Sequence, residues 1–289
     1  MSANDRNPHV QGQRISFGGQ LQNYQAAVQQ LVSILGDEDS AASHLSRCIF
    51  TVGMGSNDYL NNYFMPTVYP TSQQYTPEQF ADALAGQYAQ QLRTLYSFGA
   101  RKVALMGVGQ VGCSPNELAQ RSPDGATCAA EINAAIDIFN QRLVALVDQF
   151  NALPGAHFTY INAYGIFEDI LRAPGSHGMC VCSTLFDTPL CPIFNLPFRN
   201  QSTRSLICLE LRARAGLTVT NRGCCGVGRN NGQVTCLPFQ TPCANRDEYL
   251  FWDAFHPTEA ANILVGRRAY SAALPSDVHP VDLRTLAQL

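Results

Sequence analysis

The feature that most constrains the fold is an alternation of short apolar segments with long amphipathic ones. Segments 48–53, 102–108 and 157–161 are rich in β-forming residues, and each has the length of a buried strand. Segments 76–98 and 129–150 have helical periodicity and separate these strands. Because a crossover that contains a helix joins parallel strands, the pattern predicts a three-layer α/β fold: a mostly parallel sheet with helices on both faces.

Two more helices are predicted at the ends of this pattern. Residues 18–35 carry apolar side chains at helical spacing, and residues 258–273 form the last predicted helix. Thr76 followed by Gln79 matches a capping box at the start of the second long helix. No internal repeat or linker divides the chain, so a single domain over residues 1–289 is expected.

Composition and charge narrow the class of protein. Hydrophobic residues make up 46% of the 289 residues and charged residues 14%, which is typical of a globular domain. The net charge is -3 and no basic run is present, so neither nucleic acid nor an anionic membrane is an expected partner. No segment is apolar over enough residues to predict a transmembrane helix.

Cysteine is unusually frequent, with 11 residues in the chain. This count indicates an oxidising compartment and predicts an extracellular location. Residues 1–10 are polar and do not resemble a signal peptide, so they add no support to this expectation. The odd number leaves at least one thiol unpaired within the chain.

The spacing of the cysteines favours disulfides over a metal site. Cys113 and Cys128 flank a turn-rich stretch that a disulfide could close. A second group lies in a segment rich in Gly, Asn and Pro: Cys224, Cys225, Cys236 and Cys243. Zinc is the alternative for this group, but no histidine stands at ligand spacing, and adjacent cysteines are poor zinc ligands. Disulfides are therefore expected, with their connectivity left open.

Residues 179–216 differ in character from the rest of the chain. They contain four cysteines and several prolines, and they show no sustained periodicity. A structureless loop of this length is unusual inside a compact domain. We hypothesise that the segment is an atypical insertion derived from a retained intron, which sequencing of the spliced transcript tests.

A short motif, Asp253 followed by His256, stands just before the last predicted helix. On a turn, the Asp can accept a hydrogen bond from one ring nitrogen and leave the other free to act as a base toward a nucleophile. The alternative is an Asp that caps a turn beside a surface His. Taken alone, so short a motif favours the alternative.

A second motif, Gly55-Ser56-Asn57-Asp58, follows the first predicted strand. Open α/β sheets bind ligands at the carboxyl ends of their strands. There, the side-chain N–H of Asn57 would stabilise a developing oxyanion, an effect of about 3 kcal/mol in other hydrolases. The alternative is a glycine-rich turn in which Asn adopts a left-handed backbone.

Other catalytic signals are missing from the sequence. It contains no G-x-S-x-G elbow, phosphate-binding loop, dinucleotide fingerprint or H-E-x-x-H motif. The remaining histidines have no companion residue that would make a site: His9, His44, His157, His177 and His279.

Four blocks together resemble the plant GDSL esterase/lipase family of SGNH hydrolases. The block IFTVGMGSNDYLNNY at 49–63 resembles the segment around that family's oxyanion Asn, and LMGVGQVGCSP at 105–115 resembles its next core strand and loop. The blocks NRGCCG at 221–226 and FWDAFHPTE at 251–259 resemble its C-terminal signature. The resemblance extends over most of the chain.

The resemblance implies a role for each candidate residue. Asn57 would donate to the oxyanion, His256 would be the general base, and Asp253 would orient it. The reaction would be hydrolysis of acyl esters of lipids or cell-wall material through an acyl-serine intermediate. The resemblance also implies an SGNH or flavodoxin-like sheet and a secreted protein, with no metal or cofactor.

Two departures from the family pattern modify this expectation. Members begin with a strand ending in Gly-Asp-Ser, whose Ser is the nucleophile, and this sequence contains no such triplet. We therefore expect the first strand to be missing, an unpaired sheet edge, and weak or no activity; Ser56 is not a convincing substitute. The insertion 179–216 is the second departure. The alternative function is a non-catalytic relative that binds acyl or glycan ligands or a partner.

Overall fold

The computed structural model describes residues 15–177 and 216–289. The predicted insertion 179–216 lies outside the described residues, except for Gly216. The chain divides into two compact units. The first, here called the sheet unit, comprises Met1–Gly112, Cys128–Phe167 and Val265–Leu289; the second, the disulfide unit, comprises Cys113–Thr127 and Glu168–Leu264.

The described residues form helices and strands in the following order. The helices are α1 (Phe17–Leu35), α2 (Glu38–Ser46), α3 (Ser56–Asp58), α4 (Thr71–Gln74), α5 (Pro77–Ser97), α6 (Pro115–Arg121), α7 (Ala130–Asn151), α8 (Ala163–Arg172), α9 (Glu259–Tyr270) and α10 (Leu283–Gln288). The strands are β1 (Ile49–Val52), β2 (Lys102–Met106), β3 (His157–Ile161), β4 (Val219–Gly223), β5 (Tyr249–Phe251) and β6 (Val278–His279). A π-helical turn, Tyr59–Tyr63, continues α3.

The main sheet belongs to the sheet unit and has the strand order β1-β2-β3-β6. Strands β1, β2 and β3 are parallel, and the short β6 adds to β3 in the antiparallel sense. Phe50 lies opposite Val103, and Val103 lies opposite Phe158. The three predicted strands therefore pair as the sequence indicated, and the prediction of a mostly parallel sheet is confirmed.

Helices cover both faces of this sheet because its inner strands are apolar on both sides. Val103, Leu105 and Phe158 point into the larger core, which α5 and α7 complete. The intervening residue Ala104 joins a smaller core together with Leu286 of α10. This alternation with a period of two confirms the predicted three-layer arrangement.

The larger core is dominated by aromatic side chains. Phe139 of α7 is fully buried, and its ring centroid lies 5.9 Å from that of Tyr59 and 6.4 Å from that of Tyr88. At the start of α5 the predicted capping box is present: Gln79 N lies 3.3 Å from Thr76 Oγ1, and Thr76 N lies 2.9 Å from Gln79 Oε1.

Strand β1 lies at the edge of the sheet in the described part of the chain. Its only pairing there is with β2, and Ile49 is 37% exposed. A groove of about 360 Å³ runs beside this strand, with Phe17, Tyr24 and Phe50 among its lining residues. An unpaired sheet edge was expected from the sequence, without the strand being specified.

The disulfide unit has a different construction. Two short parallel strands, β4 and β5, form its sheet. Disulfides join Cys224 to Cys243 and Cys225 to Cys236. Neither strand was predicted, whereas disulfide bonding of this cysteine group was.

Three other cysteines and the C-terminal elements can also be compared with the predictions from the sequence. Cys113 and Cys128 are both disulfide-bonded, and Cys48 is a free thiol. The prediction that the last helix covers residues 258–273 is wrong in one respect, because β6 and α10 follow α9. These two elements are too short to produce a periodic pattern.

Membrane-spanning helices were not expected, and none of the helices within residues 15–177 and 216–289 combines the length and hydropathy needed to cross a bilayer.

Candidate active site

The motif Asp253-x-x-His256 forms a tight turn between β5 and α9. Its ends are closed by a hydrogen bond of 2.7 Å from Trp252 N to His256 O. Cys225 N donates to Trp252 O over 2.7 Å, so the turn is attached to the disulfide-bonded segment. On its other side, Thr258 Oγ1 accepts from Ala261 N at 3.2 Å and caps the first turn of α9.

The carboxylate of Asp253 is the centre of this turn. Its side chain is only 8% exposed. Oδ1 accepts hydrogen bonds from the backbone N–H groups of Phe255 at 2.9 Å and His256 at 2.8 Å. Oδ2 accepts from the hydroxyl of Thr235 at 2.7 Å. The ring Nδ1 of His256 lies 2.9 Å from Oδ1 and 3.0 Å from Oδ2.

These contacts keep Asp253 ionised. Burial opposes ionisation, but the hydrogen bonds from Phe255, His256 and Thr235 outweigh it, so the pKa of Asp253 is lowered from its ordinary value. A carboxylate fixed by several donors has one orientation, and it holds the imidazole ring in one orientation too. The proton on the ring is therefore placed on Nδ1.

The other ring nitrogen of His256 is open to a reaction partner. The side chain is 73% exposed, and Nε2 has no hydrogen-bond partner among residues 15–177 and 216–289. With Nδ1 protonated and held by Asp253, Nε2 carries the lone pair that can accept a proton. The predicted pair is thus brought together in the orientation that a general base requires.

Thr235 is a member of the site that sequence reasoning missed. It stands next to Cys236, whose disulfide to Cys225 fixes this part of the chain. A Thr eighteen residues before an Asp gives no signal in a sequence, because the contact depends on how the disulfide loop folds back. The Cys225–Cys236 pairing is what brings the hydroxyl to the carboxylate.

Asn57 lies in α3, just after the carboxyl end of β1 in the sheet unit. Its Oδ1 accepts a hydrogen bond from Asn61 Nδ2 at 2.9 Å, and its own Nδ2 has no partner among the described residues. The side chain is exposed. Both N–H groups of Asn57 are consequently available to an acceptor, while its oxygen is fixed.

Gly55 explains why α3 can begin so soon after β1. Its φ of 129° lies in the region that favours glycine, and a Cβ there would stand 2.7 Å from the Phe139 ring. The loop after β2 is fixed as well: Val108 N lies 2.9 Å from Asn140 Oδ1, and Asn140 Nδ2 lies 2.8 Å from Val108 O. The carboxyl ends of both strands are therefore tied to α7.

The predicted site residues are distributed over the two units. Asp253 and His256 contact each other in the disulfide unit, together with Thr235, whereas Asn57 belongs to the sheet unit. Within the described ranges, no group of His, Cys, Asp or Glu side chains is arranged to hold a metal ion.

A parallel α/β sheet together with a buried Asp that fixes an exposed His is typical of hydrolases that use histidine as a base. The family model described as "GDSL-like Lipase/Acylhydrolase" matches residues 3–269. The chain belongs to this family of ester hydrolases.

Curated relatives from Arabidopsis thaliana support the assignment. GDSL esterase/lipase At5g45670 is 53% identical over 279 residues, which cover 96% of this chain and 67% of that protein. GDSL esterase/lipase At4g18970 is 52% identical over the same number of residues, with the same coverage. GDSL esterase/lipase At1g71691 is 39% identical over 277 residues, which are 61% of its length. The chain therefore spans about two thirds of the length of these relatives.

Proposed function

We propose that the protein takes part in the hydrolysis of acyl esters by a Ser-His-Asp mechanism. In this proposal His256 is the general base, Asp253 orients it, and Asn57 donates a hydrogen bond to the oxyanion. The substrates are acyl esters of lipids or of cell-wall material, and no metal or cofactor takes part.

The observation that carries the proposal is the geometry of Asp253 and His256. A surface His beside a turn-capping Asp, the alternative raised by the sequence, does not require that the carboxylate be buried. Here the carboxylate is 8% exposed and its neighbour is 73% exposed. This contrast in burial is expected of a pair in which the buried Asp253 orients the imidazole ring and the exposed His256 exchanges a proton with the reacting groups.

A second His–Asp pair in the protein shows what an ordinary surface pair looks like. His279 Nε2 lies 2.7 Å from Asp148 Oδ1, with side-chain exposures of 43% and 63%. Neither partner is buried, and no further hydrogen bonds fix the Asp148 carboxylate within the described residues. The pair supplies a matched control for His256.

The nucleophile is the incomplete part of the mechanism. The sequence contains no Gly-Asp-Ser triplet, and no serine of the described residues is hydrogen-bonded to His256 Nε2. We therefore propose that the 289-residue chain by itself hydrolyses esters weakly or not at all. A chain that adds a Gly-Asp-Ser block ahead of residue 15 is proposed to be the active form.

The missing serine contact also favours a second candidate function. A non-catalytic relative would retain the fold and the Asp–His turn and would bind acyl or glycan ligands or a partner protein. Labelling with a fluorophosphonate probe discriminates between the two, since the probe forms a bond only with an activated serine.

The test is hydrolysis of a short-chain nitrophenyl ester by the 289-residue chain and by the longer form. We expect activity and fluorophosphonate labelling in the longer form only. There, His256→Ala should reduce activity to background, Asp253→Asn should lower kcat by about 10⁴-fold, and Asn57→Ala by about 10²–10³-fold. His279→Ala should leave kcat unchanged.

The controls separate the parts of the proposal. An unlabelled and inactive longer form would exclude hydrolysis and favour the binding function. Hydrolysis by the 289-residue chain that His256→Ala abolishes would keep His256 as the base and contradict the proposed nucleophile block. Equal losses in His256→Ala and His279→Ala would remove the special role of His256.

The location proposed for the protein is extracellular. Disulfides persist in oxidising compartments and are rare in the cytosol, and two pairs of cysteines in the disulfide unit are joined. Mass spectrometry of the endogenous protein without reduction would check this, because free thiols at these four positions would exclude such a compartment.

A further inference from the structure

A strained aromatic residue marks one turn of the disulfide unit. Residues 237–240 form the turn Leu237-Pro238-Phe239-Gln240, closed by a hydrogen bond of 3.1 Å from Gln240 N to Leu237 O. Phe239 has a φ of 68°. Pro at the second position and a positive φ at the third define a type II turn, in which the third residue is normally Gly or Asn. Phe is unfavourable there, because its Cβ crowds the backbone.

Packing does not offset this strain. Phe239 is fully exposed, with a relative accessibility of 105%, and it makes no ring contact with the described residues. Among the described residues the side chain therefore makes no ring contact that would offset the strain, and a Gly would suit the turn better. An outlier of this kind points to a role outside the protein's own stability.

Phe239 is the most exposed member of an apolar group. Val227 and Val234 form an isolated antiparallel bridge and are 44% and 43% exposed. Leu237 is 48% exposed. Gln240 Nε2 donates to Gly226 O, which ties the turn to the bridge. We call these four apolar residues, Val227, Val234, Leu237 and Phe239, the apolar tip.

The apolar tip lies in a cross-linked segment that contains a single charged residue. The disulfides Cys224–Cys243 and Cys225–Cys236 enclose it. Arg229 is the only charged residue between positions 224 and 243, and its Nη2 donates to Pro123 O at 2.7 Å. The segment contains no acidic side chain, and Arg229 is its single charge, so the charge that insertion could desolvate is small.

The shape of the apolar tip favours a lipid surface over a protein partner. A stable protein interface buries about 800 Å² on each side, more than one exposed and three half-exposed side chains can provide. A lipid surface can take up a smaller apolar group at the boundary between headgroups and acyl chains, with a binding strength that scales with the apolar area buried. Aromatic side chains are well suited to that boundary.

We propose that the apolar tip docks the protein on a lipid surface, with Phe239 as the inserted side chain. This proposal rests on the proposed acyl-ester hydrolase function and adds a surface at which the protein would meet lipid. Thr235, which binds the Asp253 carboxylate, stands directly between Val234 and Cys236. The docking element and the Asp–His turn therefore share one disulfide-bonded frame.

The test is cosedimentation of the 289-residue chain with phosphatidylcholine vesicles. Phe239→Gly removes the ring and relieves the strained φ, so it should fold at least as well as the original chain. We expect it to lower the vesicle partition coefficient by about tenfold or more. Binding of the unchanged chain should vary little between low and high salt, because apolar insertion does not depend on charge.

Two matched variants complete the experiment. Ile34→Ser removes another exposed apolar side chain, 79% accessible and located in α1, and should bind like the unchanged chain. Phe239→Trp should keep binding and show a blue shift of its fluorescence when vesicles are added, relative to a chain that contains only Trp252.

The outcomes distinguish this proposal from the proposed function. His256→Ala should bind vesicles fully, and such binding would support docking even if no ester is hydrolysed. No partition of the unchanged chain, or equal partition of Phe239→Gly, would overturn the docking proposal while leaving ester hydrolysis untouched. Self-association in sedimentation velocity that Phe239→Gly abolishes would also overturn it and assign the apolar tip to a second copy of the chain.

Discussion

The two units of the molecule are stabilised in different ways. The sheet unit is built around a large apolar core, in which fully buried residues such as Tyr59, Tyr88 and Phe139 contact one another. The part of the disulfide unit between β4 and α9 is cross-linked by two disulfides and by side chains that bind backbone groups. Asn231 Nδ2, for example, donates to Gly223 O at 2.9 Å.

The two kinds of stabilisation differ in how closely they fix the position of a side chain. Apolar packing is non-directional and tolerates small shifts, whereas disulfides and hydrogen bonds hold atoms at defined distances and angles. The Asp253–His256 pair is held in the second way. The proposed mechanism requires this pair to be held close to its productive geometry, and a short cross-linked segment can provide that better than a larger core.

The largest expected effect comes from breaking the core of the sheet unit. Phe139→Ala removes a fully buried ring that contacts Tyr59 and Tyr88. We expect the free energy of unfolding to fall by about 4 kcal/mol, as for other Phe-to-Ala changes in cores. Urea denaturation followed by circular dichroism measures it.

Phe139→Leu is the control, because it retains much of the lost volume and should cost less. Hydrogen exchange should show the loss first in β1, β2 and α7, which contribute to the same core. In Phe139→Ala at low denaturant, the amides of residues 219–251 should stay more protected than those of β1, β2 and α7. An equal loss of protection would mean that the two units do not have separate sources of stability.

The same contrast explains how much of the fold could be predicted. The long helices and the three parallel strands of the sheet unit were predicted nearly to the residue, because elements such as β3 and α7 bury apolar stripes with periods of two and 3.6. The short elements α2, β6 and α10 of the same unit were not predicted. Strand β4 has the sequence Val-Thr-Asn-Arg-Gly and exposes its middle residues, so it has no such stripe. Its pairing with β5 depends on cross-links and contacts distant in sequence, which leave no periodic signal.

The candidate site divides in the same way. The contact between Asp253 and His256 could be expected because they are three positions apart and a local turn suffices to join them. The position of Asn57 just after a strand could be expected from the apolar segment before it, whereas the roles of all three residues come from the family resemblance and stay predictions. The contact of Thr235 with Asp253 could not be expected, because it requires the Cys225–Cys236 disulfide to fold the segment back.

The next largest effect should come from opening the frame of the disulfide unit. Cys225→Ser combined with Cys236→Ser removes a cross-link between residues 11 apart in sequence. By the loop-entropy relation this should cost about 3 kcal/mol of unfolding free energy. Hydrogen exchange followed by mass spectrometry should locate the loss in residues 219–251, with β2 and β3 still protected.

Cys48→Ser is the control, because Cys48 is a free thiol and its removal breaks no cross-link. The double variant should also lose the contact between Thr235 and Asp253, since Thr235 adjoins Cys236. A double variant whose β2 and β3 amides exchange as fast as those of β4 would show that the disulfide supports the whole molecule instead of one unit.

The smallest effect tests a single hydrogen bond within that frame. Thr235→Val keeps the shape of the side chain but removes the hydroxyl that donates to Asp253 Oδ2 at 2.7 Å. A hydrogen bond to a charged group is worth about 2 kcal/mol, and we expect the free energy of unfolding to fall by that amount near neutral pH. Thr235→Ser retains the hydroxyl and should restore most of the loss.

The pH dependence distinguishes this bond from ordinary packing. The pKa of Asp253 is lower in the folded protein than in the unfolded chain, so the stability it contributes is present above its unfolded value of about 3.9. That contribution is lost as the pH falls through the lower, folded value. Thr235→Val raises the folded pKa toward the unfolded one, and its deficit should therefore shrink in acid. A deficit that stays constant from neutral pH down to acid would mean that the methyl and hydroxyl groups of Thr235 act through packing, and that the carboxylate is fixed by the backbone donors of Phe255 and His256 alone.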